Sequence, residues 1–374
     1  MEKGVFVIRR TLIVWICLLA FSVACCAESG SQEEPGLKSV RLQLKWRKQF
    51  QFAGYYAAKA LGYYADAGLN VEIIEGTPGV PASEKVKRGD AEYGVDGVPN
   101  LMRLKAEGFA PSILGVIFQH SPYAIISVSE NGIRTPADLA GARLMLGDYL
   151  EGLQLVFMME REGIPRDSAV YLPHTYNYID LIQGNVDGMV GYITSQPYDI
   201  RKAGYEPVLL RPLDYGVDFY GDAMFALQSY ASANPEEARA FRDASIRGWE
   251  WAFENVDSAI DILLALPSDS PPLTREFLEF EARKTRDLAR PDVIEVGHVN
   301  PHRLERMSKL YIDEGFLPAD YIVEGMIFHV PEPNWRDKLI WLGALSAFFL
   351  AIIGVIAFVN AELRKKVAEK TESL

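Results

Sequence analysis

Apolar and polar residues alternate where the body of the chain begins, from Val40 to Trp46. A period of two residues predicts a β-strand with one buried face. A polar and aromatic turn at 47–51 ends this pattern, and a short helix from Phe52 to Leu61 and a second strand from Val71 to Ile74 are predicted after it. Such a unit brings aromatic rings and amides to the carboxyl end of a strand, where open α/β sheets bind small ligands.

Short strands and helices continue to alternate up to residue 227. Strands are predicted at 91–95, 112–119, 123–128, 143–146, 169–172, 189–192, 207–210 and 223–227, and helices at 82–88, 100–107, 151–162 and 178–183. Alternation of this kind predicts parallel sheets with helices on both faces. A long helix then runs to about Glu254, with Asn234 as its N-cap and Pro235 in its first turn, and two more helices are predicted within 258–311.

The order of these elements predicts an α/β fold of two lobes with two crossings between them. The first lobe is predicted from residues 40–126 and 219–335, and the second, inserted lobe from 127–218. Two lobes joined in this way form a clamshell, in which hinge closure buries a small molecule in the cleft.

Both ends of the chain are apolar, and they predict different segments. Residues 1–27 carry basic residues, an apolar run and small residues, which indicates a signal peptide; an uncleaved membrane anchor is the alternative. Residues 28–39 are predicted to be a flexible linker. Residues 338–359 predict one transmembrane helix, and the basic tail at 360–374 is predicted to be cytoplasmic and coiled-coil-like, or else an ordinary charged flank.

Composition narrows the possible chemistry. A net charge of −12 and a pI of about 5.1 argue against a nucleic-acid partner. The three cysteines all lie within the first 26 residues, so neither a disulfide framework nor a cysteine-based metal site is expected in the body. The five histidines are scattered and no phosphate-binding or hydrolase motif is present, so we expect no metal, no cofactor and no catalytic residue.

Several segments, in a fixed order, carry a resemblance to a known family. They are residues 45–76, 118–123, 138–144, 186–200, 214–225, 240–253 and 293–307. They resemble the thiamine-pyrimidine-synthase-like family of periplasmic substrate-binding proteins (SsuA/thiamine-precursor-binding), which implies a periplasmic binding protein type II clamshell. More narrowly, the chain is similar to the sensing domains of membrane-bound bacterial sensor kinases and diguanylate cyclases.

Candidate ligand-binding residues on the first lobe lie near the ends of predicted strands. Trp46 and Tyr55 offer aromatic faces for a planar ring, with core packing as the alternative. Gln49 and Gln51 offer paired donors and acceptors for a pyrimidine-like edge. The other candidates are Asp96, which could instead cap a turn, Gln119 and Ser121.

The remaining candidates come from the second lobe and the second crossing. They are Tyr192, Thr194, Ser195, Gln196, Asp218, Tyr220 and Asp222. The resembled family commonly reads Thr-Asn-Glu-Pro where this chain has residues 194–197, so Gln196 replaces a carboxylate. The resemblance then argues against recognition of a cationic or amino-bearing group by this loop, and the polar side of the site is expected to suit a different ligand. For Asp218, Tyr220 and Asp222, a structural role at the hinge is the alternative.

Three functions remain open from the sequence. The first is a receptor anchored in the inner membrane, with an extracytoplasmic domain for a small heterocyclic metabolite, and coupled to a signalling output protein. A homodimer through the membrane helix and tail is one arrangement that the sequence leaves open. The second is the binding component of an ABC importer, with a permease as partner. The third is pyrimidine synthesis, which in eukaryotic members of the resembled family uses a lysine-bound pyridoxal phosphate and a cysteine-rich motif; the body of this chain lacks cysteine, so we expect no enzyme.

Overall fold

The computed structural model describes residues 36–146, 150–267, 272–329 and 335–372. The chain divides into two compact units, one ending at Phe328 and the other beginning at His329. The predicted signal peptide, most of the predicted linker and the last two residues of the tail lie outside the described residues.

The first sheet has five strands in the order β2-β1-β3-β10-β4. Strands β1 and β2 are parallel, as are β1 and β3, whereas β10 runs antiparallel to both β3 and β4. The prediction of a purely parallel sheet is therefore wrong, because β10 re-enters from the other lobe in the opposite direction. The strands are β1 (Lys38–Gln43), β2 (Leu69–Ile74), β3 (Tyr93–Gly97), β4 (Pro111–Val116) and β10 (Asp222–Leu227).

Strand β1 starts inside the segment that was predicted to be a flexible linker. The Lys38 backbone N–H donates to the Gly68 carbonyl at 2.9 Å, and Lys38 is in register with Leu69 on β2. Residues 38 and 39 are therefore part of the sheet, because β2 supplies backbone partners that the local sequence does not reveal.

The second sheet also has five strands, in the order β7-β6-β8-β5-β9. Here β5 runs antiparallel to β8 and β9, and β6 is parallel to β7 and β8, so this sheet is mixed as well. All of β5 lies in this sheet, which moves the first crossing to before Tyr123, ahead of the predicted boundary at 127. The strands are β5 (Tyr123–Val128), β6 (Arg143–Met145), β7 (Val170–Leu172), β8 (Gly188–Tyr192) and β9 (Pro207–Leu210).

Helices cover the faces of both sheets. They are α1 (Ala53–Ala60), α2 (Tyr63–Asp66), α3 (Ala82–Lys87), α4 (Val98–Ala106), α5 (Leu150–Arg161), α6 (Ile179–Ile182), α7 (Gln196–Lys202), α8 (Gln228–Ala233), α9 (Pro235–Glu254), α10 (Val256–Ala265), α11 (Arg275–Ala289) and α12 (Pro301–Asp313). Three helices, α10 to α12, occupy the segment for which two were predicted. Pro267 and Pro272 flank the first break, and Arg290 ends α11 in the left-handed conformation at φ 55°.

Close packing of α1 on α9 anchors the loop that precedes α1. A Cβ added to Gly248 would lie 2.2 Å from the Gly54 carbonyl oxygen, and one added to Gly54 would overlap the Trp249 ring. Both glycines are therefore required for the backbones to approach so closely. Trp249 is fully buried at this contact and packs edge-on against Tyr55.

The second unit is one long helix, α13 (Trp335–Glu372). It contains one stretch, Leu339–Glu369, that is long and apolar enough to cross a membrane, judged by length and composition alone. The helix continues through residues 360–372, where the coiled-coil-like tail was predicted.

Candidate functional site

A pocket of about 840 Å³, its open mouth included, lies between the two lobes. We call the part built on the first sheet the first lobe and the part built on the second sheet the second lobe. The first lobe contributes side chains that follow β1 and β3, and the second lobe contributes side chains from β5, β8 and the loop after β7. The residues that line it and carry the argument below are Lys45, Trp46, Gln49, Gln51, Asp96, Asn100, Tyr123, His174, Tyr176, Tyr192, Ser195 and Gln196.

A buried carboxylate organises the floor of this pocket. Asp222, the first residue of β10, is 2% exposed. Its Oδ2 accepts from Gln51 Nε2 at 2.5 Å, and its Oδ1 accepts from the Tyr192 hydroxyl at 3.2 Å and lies 3.4 Å from Lys45 Nζ. We call Asp222, Lys45, Gln51 and Tyr192 the Asp222 network. Lys45 Nζ also donates to the Tyr192 hydroxyl at 2.7 Å, so this network joins the two lobes directly.

The loop before α1 carries two glutamines whose amides form a directed chain. Gln49 Nε2 donates to Gln51 Oε1 at 2.7 Å, and Gln51 in turn donates to Asp222. Glu281 on α11 holds this loop, because its Oε2 accepts from the Phe50 backbone N–H at 2.5 Å. Complete burial raises the pKa of the Glu281 carboxyl well above its usual range.

Aromatic rings form the walls of the pocket. Trp46 on the first lobe and Tyr176 on the second have ring centroids 5.8 Å apart, with planes tilted by 40°. Tyr123 and Tyr192 meet edge to face at 4.6 Å, and Lys45 Nζ lies 5.4 Å from the centroid of the Tyr192 ring. The rings of each pair are in direct contact, so these walls offer aromatic faces against which a flat ring can stack on one side.

His174 holds Tyr176 in an unusual backbone conformation. Tyr176 has φ 60°, in the left-handed region, which costs energy for a residue with a bulky side chain. Its backbone N–H donates to His174 Nδ1 at 2.9 Å, so His174 Nε2 must carry the proton that it donates to the Val190 carbonyl at 2.7 Å. Burial lowers the pKa of the His174 imidazole, which favours this neutral form.

Asp96 is positioned by the chain around it. Its Oδ2 accepts from the Ser83 backbone N–H at 2.8 Å, and its Oδ1 accepts from the Gly97 N–H at 2.8 Å and from Asn100 Nδ2 at 2.9 Å. Asp96 was predicted either to bind the ligand or to cap a turn. These bonds give it the capping role, and it also lines the pocket. Asn100 follows it on α4, and its Oδ1 has no hydrogen-bond partner in the described structure.

The structure brings eight of the predicted site residues to the pocket or to its buried network. They are Trp46, Gln49, Gln51, Asp96, Tyr192, Ser195, Gln196 and Asp222. It places the other six away from the pocket lining: Tyr55, Gln119, Ser121, Thr194, Asp218 and Tyr220. Tyr55 packs on Trp249 in the core, and Gln119 donates to the Val116 and His298 carbonyls, so both have structural partners.

Asp218 and Tyr220 belong to a separate cluster at the crossings. Asp218 Oδ1 accepts from Arg303 Nη2 at 2.6 Å and lies 2.8 Å from His120 Nδ1. The Tyr220 hydroxyl accepts from the Asn300 backbone N–H at 2.9 Å, and its ring lies 4.2 Å from the Arg303 guanidinium. The alternative reading, a structural role at the hinge, therefore fits this pair better than ligand contact does.

Of the lining residues named above, five were absent from the prediction: Lys45, Asn100, Tyr123, His174 and Tyr176. Lys45 falls on the polar side of the strand pattern, which marked it as solvent-facing, whereas the bend after β1 turns it toward Asp222. Tyr123 is the first residue of β5, and because β5 runs antiparallel to β8 it lies beside Tyr192, where β8 ends. A rule based on the carboxyl ends of strands therefore misses Tyr123. His174 and Tyr176 lie in a loop whose sequence carries no signal for its fold.

Among the described residues, no group of three or more His, Cys, Asp or Glu side chains is placed to hold a metal ion. The described lining offers aromatic faces, oriented amides, the Asp96 carboxylate, the His174 imidazole and one paired lysine.

Comparison with known proteins settles the family. Residues 49–259 match the family described as NMT1/THI5 like, which is more than half of the chain. The chain belongs to the NMT1/THI5-like family. It is 23% identical over 272 residues to a formylaminopyrimidine-binding protein of Halalkalibacterium halodurans, an alignment that covers 71% of this chain and 82% of that protein.

Two further matches bear on this member of the NMT1/THI5-like family. A 4-amino-5-hydroxymethyl-2-methylpyrimidine phosphate synthase of Legionella pneumophila is 25% identical over 279 residues, covering 71% of this chain and 87% of that protein. The alkanesulfonate-binding protein SsuA of Xanthomonas axonopodis pv. citri, solved with MOPS, superposes with a TM-score of 0.60 at 17% identity, covering 75% of this chain and 94% of SsuA. The body therefore has the two-lobed periplasmic binding protein type II fold, as predicted.

Proposed function

We propose that this protein is a membrane-anchored, extracytoplasmic solute-binding protein for a small heterocyclic metabolite resembling a thiamine pyrimidine precursor. The observation that carries the proposal is the pocket between the lobes, where facing aromatic rings meet oriented amides and the Lys45–Tyr192 bond joins the lobes at 2.7 Å. A relative named as a formylaminopyrimidine-binding protein supports the same class of ligand.

Anchoring and orientation form the second part of the proposal. Helix α13 would place the body on the extracytoplasmic side and the basic end of the helix in the cytoplasm of a cell with an inner membrane. Protease added to intact spheroplasts is expected to cleave the body and to spare an epitope tag placed after residue 374. Protection of the body in that experiment would contradict the proposed orientation.

We further propose that ligand binding serves signalling, with closure of the lobes passed to the membrane helix and on to an output protein. Transport is the alternative, because binding proteins of the same fold serve ABC importers. Purification of the full chain from its native membrane after crosslinking separates the two. A signalling protein in the crosslinked complex would support sensing, and a permease with an ATPase would support transport.

Synthesis of the pyrimidine is a less well supported function. Pyridoxal phosphate, the group that eukaryotic synthases of the family use, needs a lysine that is free to form a Schiff base. Lys45 is the lysine that lines the pocket among the described residues, and its Nζ is already engaged by Tyr192 and Asp222. Withdrawing it would leave the Asp222 carboxylate buried without its cation, which is costly, so the pocket does not fit this group.

Binding itself is tested on the full chain in detergent by a thermal-shift screen. The panel contains aminopyrimidines, purines, riboflavin as a larger heterocycle, and alkanesulfonates. We expect a rise in the unfolding temperature with at least one small heterocycle, since a ligand that binds only the folded state stabilises it. A panel in which only sulfonates raise that temperature would contradict the proposed ligand class.

A further inference from the structure

Four amide side chains line the pocket: Gln49, Gln51, Asn100 and Gln196. Each is held in one orientation by a group that can act in only one way, and for Gln49 that group is Asp222, acting through Gln51. A carboxylate only accepts hydrogen bonds and a backbone N–H only donates, so either one decides which end of an amide must face it. The ends that remain unpaired are the groups that a ligand meets.

Asn100 presents an acceptor on the first lobe. The Asp96 carboxylate accepts from Asn100 Nδ2 at 2.9 Å, which leaves Asn100 Oδ1 on the other side of the amide. Asn100 is 3% exposed, and its Oδ1 has no partner in the described structure. A buried acceptor without a donor is unfavourable, so a ligand that places an N–H at this position would gain binding free energy.

Gln49 presents a second acceptor on the same lobe. Asp222 accepts from Gln51 Nε2, so Gln51 Oε1 faces Gln49 and accepts from its Nε2 at 2.7 Å. The directed chain uses the donor end of Gln49 and leaves its Oε1 for another donor.

Gln196 presents the opposite polarity on the second lobe. Its Oε1 accepts from the Tyr192 backbone N–H and from the Ser195 hydroxyl, both at 2.8 Å. The carbonyl end of this amide is therefore occupied, and its Nε2 remains as a donor toward the pocket that Gln196 lines.

The charges of the pocket disfavour an anion. Lys45 is the one cation among the described lining residues, and Asp222 already pairs with it, while Asp96 adds a further negative charge. A phosphate or sulfonate would find no uncompensated positive charge here, and a buried anion without one is costly.

We propose that this pocket selects an uncharged planar heterocycle that donates an N–H bond to Asn100 on the first lobe and accepts one from Gln196 on the second. The class is amino-substituted nitrogen heterocycles without a phosphate, and Asn100 is the residue that determines specificity for the amino group. This inference rests on the proposed binding function and adds the polarity of each wall to it.

A pair of ligands of equal shape tests the inference by calorimetry on the full chain in detergent. In 4-amino-2-methylpyrimidine an exocyclic amino group can donate to Asn100, whereas in 2,4-dimethylpyrimidine a methyl group takes its place. We expect the amino compound to bind at least about tenfold more tightly, because a site with a buried acceptor rejects a ligand that lacks the donor. The phosphate ester of the hydroxymethyl analogue is expected to bind more weakly than the free alcohol.

Variants assign the effect to named side chains. Asn100→Leu is expected to bring the ratio of the two affinities to about one, and Gln196→Leu is expected to weaken both ligands by a similar factor and to leave their ratio unchanged. Asn70→Leu is the matched control, because Asn70 is exposed on β2 and bonded to Ser39, far from the lining, and it should leave both affinities unchanged.

The outcomes separate failure of this inference from failure of the proposed function. If the wild type binds neither pyrimidine nor any heterocycle of the thermal-shift panel, the proposed function fails and the inference with it. If it binds the methyl compound as tightly as the amino compound, or binds the phosphate ester more tightly, the inference alone is overturned. If Asn100→Leu does not fold, the wild-type ratio still decides; if it folds and keeps that ratio, Asn100 does not determine specificity.

Discussion

Replacing Asp222 by asparagine disturbs the centre of the site with almost no change in side-chain shape. The carboxylate serves three donors: Gln51 at 2.5 Å, the Tyr192 hydroxyl at 3.2 Å and Lys45 at 3.4 Å. An asparagine keeps one acceptor oxygen and turns an NH₂ group toward at least one of these donors. Two donors then face each other in a site that is almost fully buried.

The cost follows from what remains unpaired. A hydrogen bond to a charged group contributes about 1.5–3 kcal/mol, and breaking one side of a buried ion pair costs about 3–5 kcal/mol. Lys45 is 11% exposed and keeps its bond to Tyr192, which reduces the cost of breaking the ion pair. We therefore expect Asp222→Asn to lower the free energy of unfolding by about 2–4 kcal/mol, a fall in Tm of roughly 5–10 °C.

Calorimetric unfolding of the full chain in detergent measures this effect. Asp214→Asn is the control, because Asp214 forms an exposed pair with Arg211 in the second crossing, where such pairs contribute at most about 1 kcal/mol. A Tm for Asp222→Asn within about 2 °C of the control would refute the assignment of Asp222 as the organising group of the pocket.

Three further substitutions test separate parts of the account. Gly248→Ala should destabilise the body by about 1–3 kcal/mol in chemical denaturation although alanine favours helices, because its Cβ would overlap the Gly54 carbonyl; a stabilised variant would contradict this packing. Glu281→Gln keeps the acceptor for Phe50, and because burial raises the pKa of Glu281, the wild type should lose stability relative to this variant as pH rises above about 4.5; a constant difference in Tm from pH 5 to 8 would count against it. Burial lowers the pKa of His174, so its stabilising contribution is complete above about pH 6.5 and falls as pH decreases; His174→Asn should flatten the Tm profile between pH 7 and 5, and an unchanged slope would exclude this role.

Local sequence patterns predicted most of the strands and helices. What they could not predict depends on contacts between distant parts of the chain. Strands β5 and β9 have the predicted bounds, 123–128 and 207–210, because apolar runs between turn residues are set by local sequence. The direction of β10 was not predictable in this way, since alternation is the same for parallel and antiparallel neighbours. Direction is decided by where the chain re-enters the sheet, which is a property of the whole fold.

The site was predictable where a residue type and a strand end coincide. Trp46, Gln49 and Gln51 follow β1 and were found for that reason. Lys45 was missed because its partner, Asp222, is distant in sequence and approaches only after the chain has crossed between the lobes twice. The orientation of Asn100 likewise depends on a carboxylate whose other bonds are set by the tertiary structure.

Direct titration of the full chain with 4-amino-2-methylpyrimidine tests the central claim, that the aromatic and amide pocket binds a small heterocycle. Calorimetry on the wild type and on Trp46→Ala compares binding with and without one aromatic wall. We predict a single site in the wild type and an affinity at least about threefold weaker in Trp46→Ala, because stacking adds about 0.5–1.5 kcal/mol beyond the buried area. Equal affinity in the two proteins, or no binding in the wild type, would contradict the account.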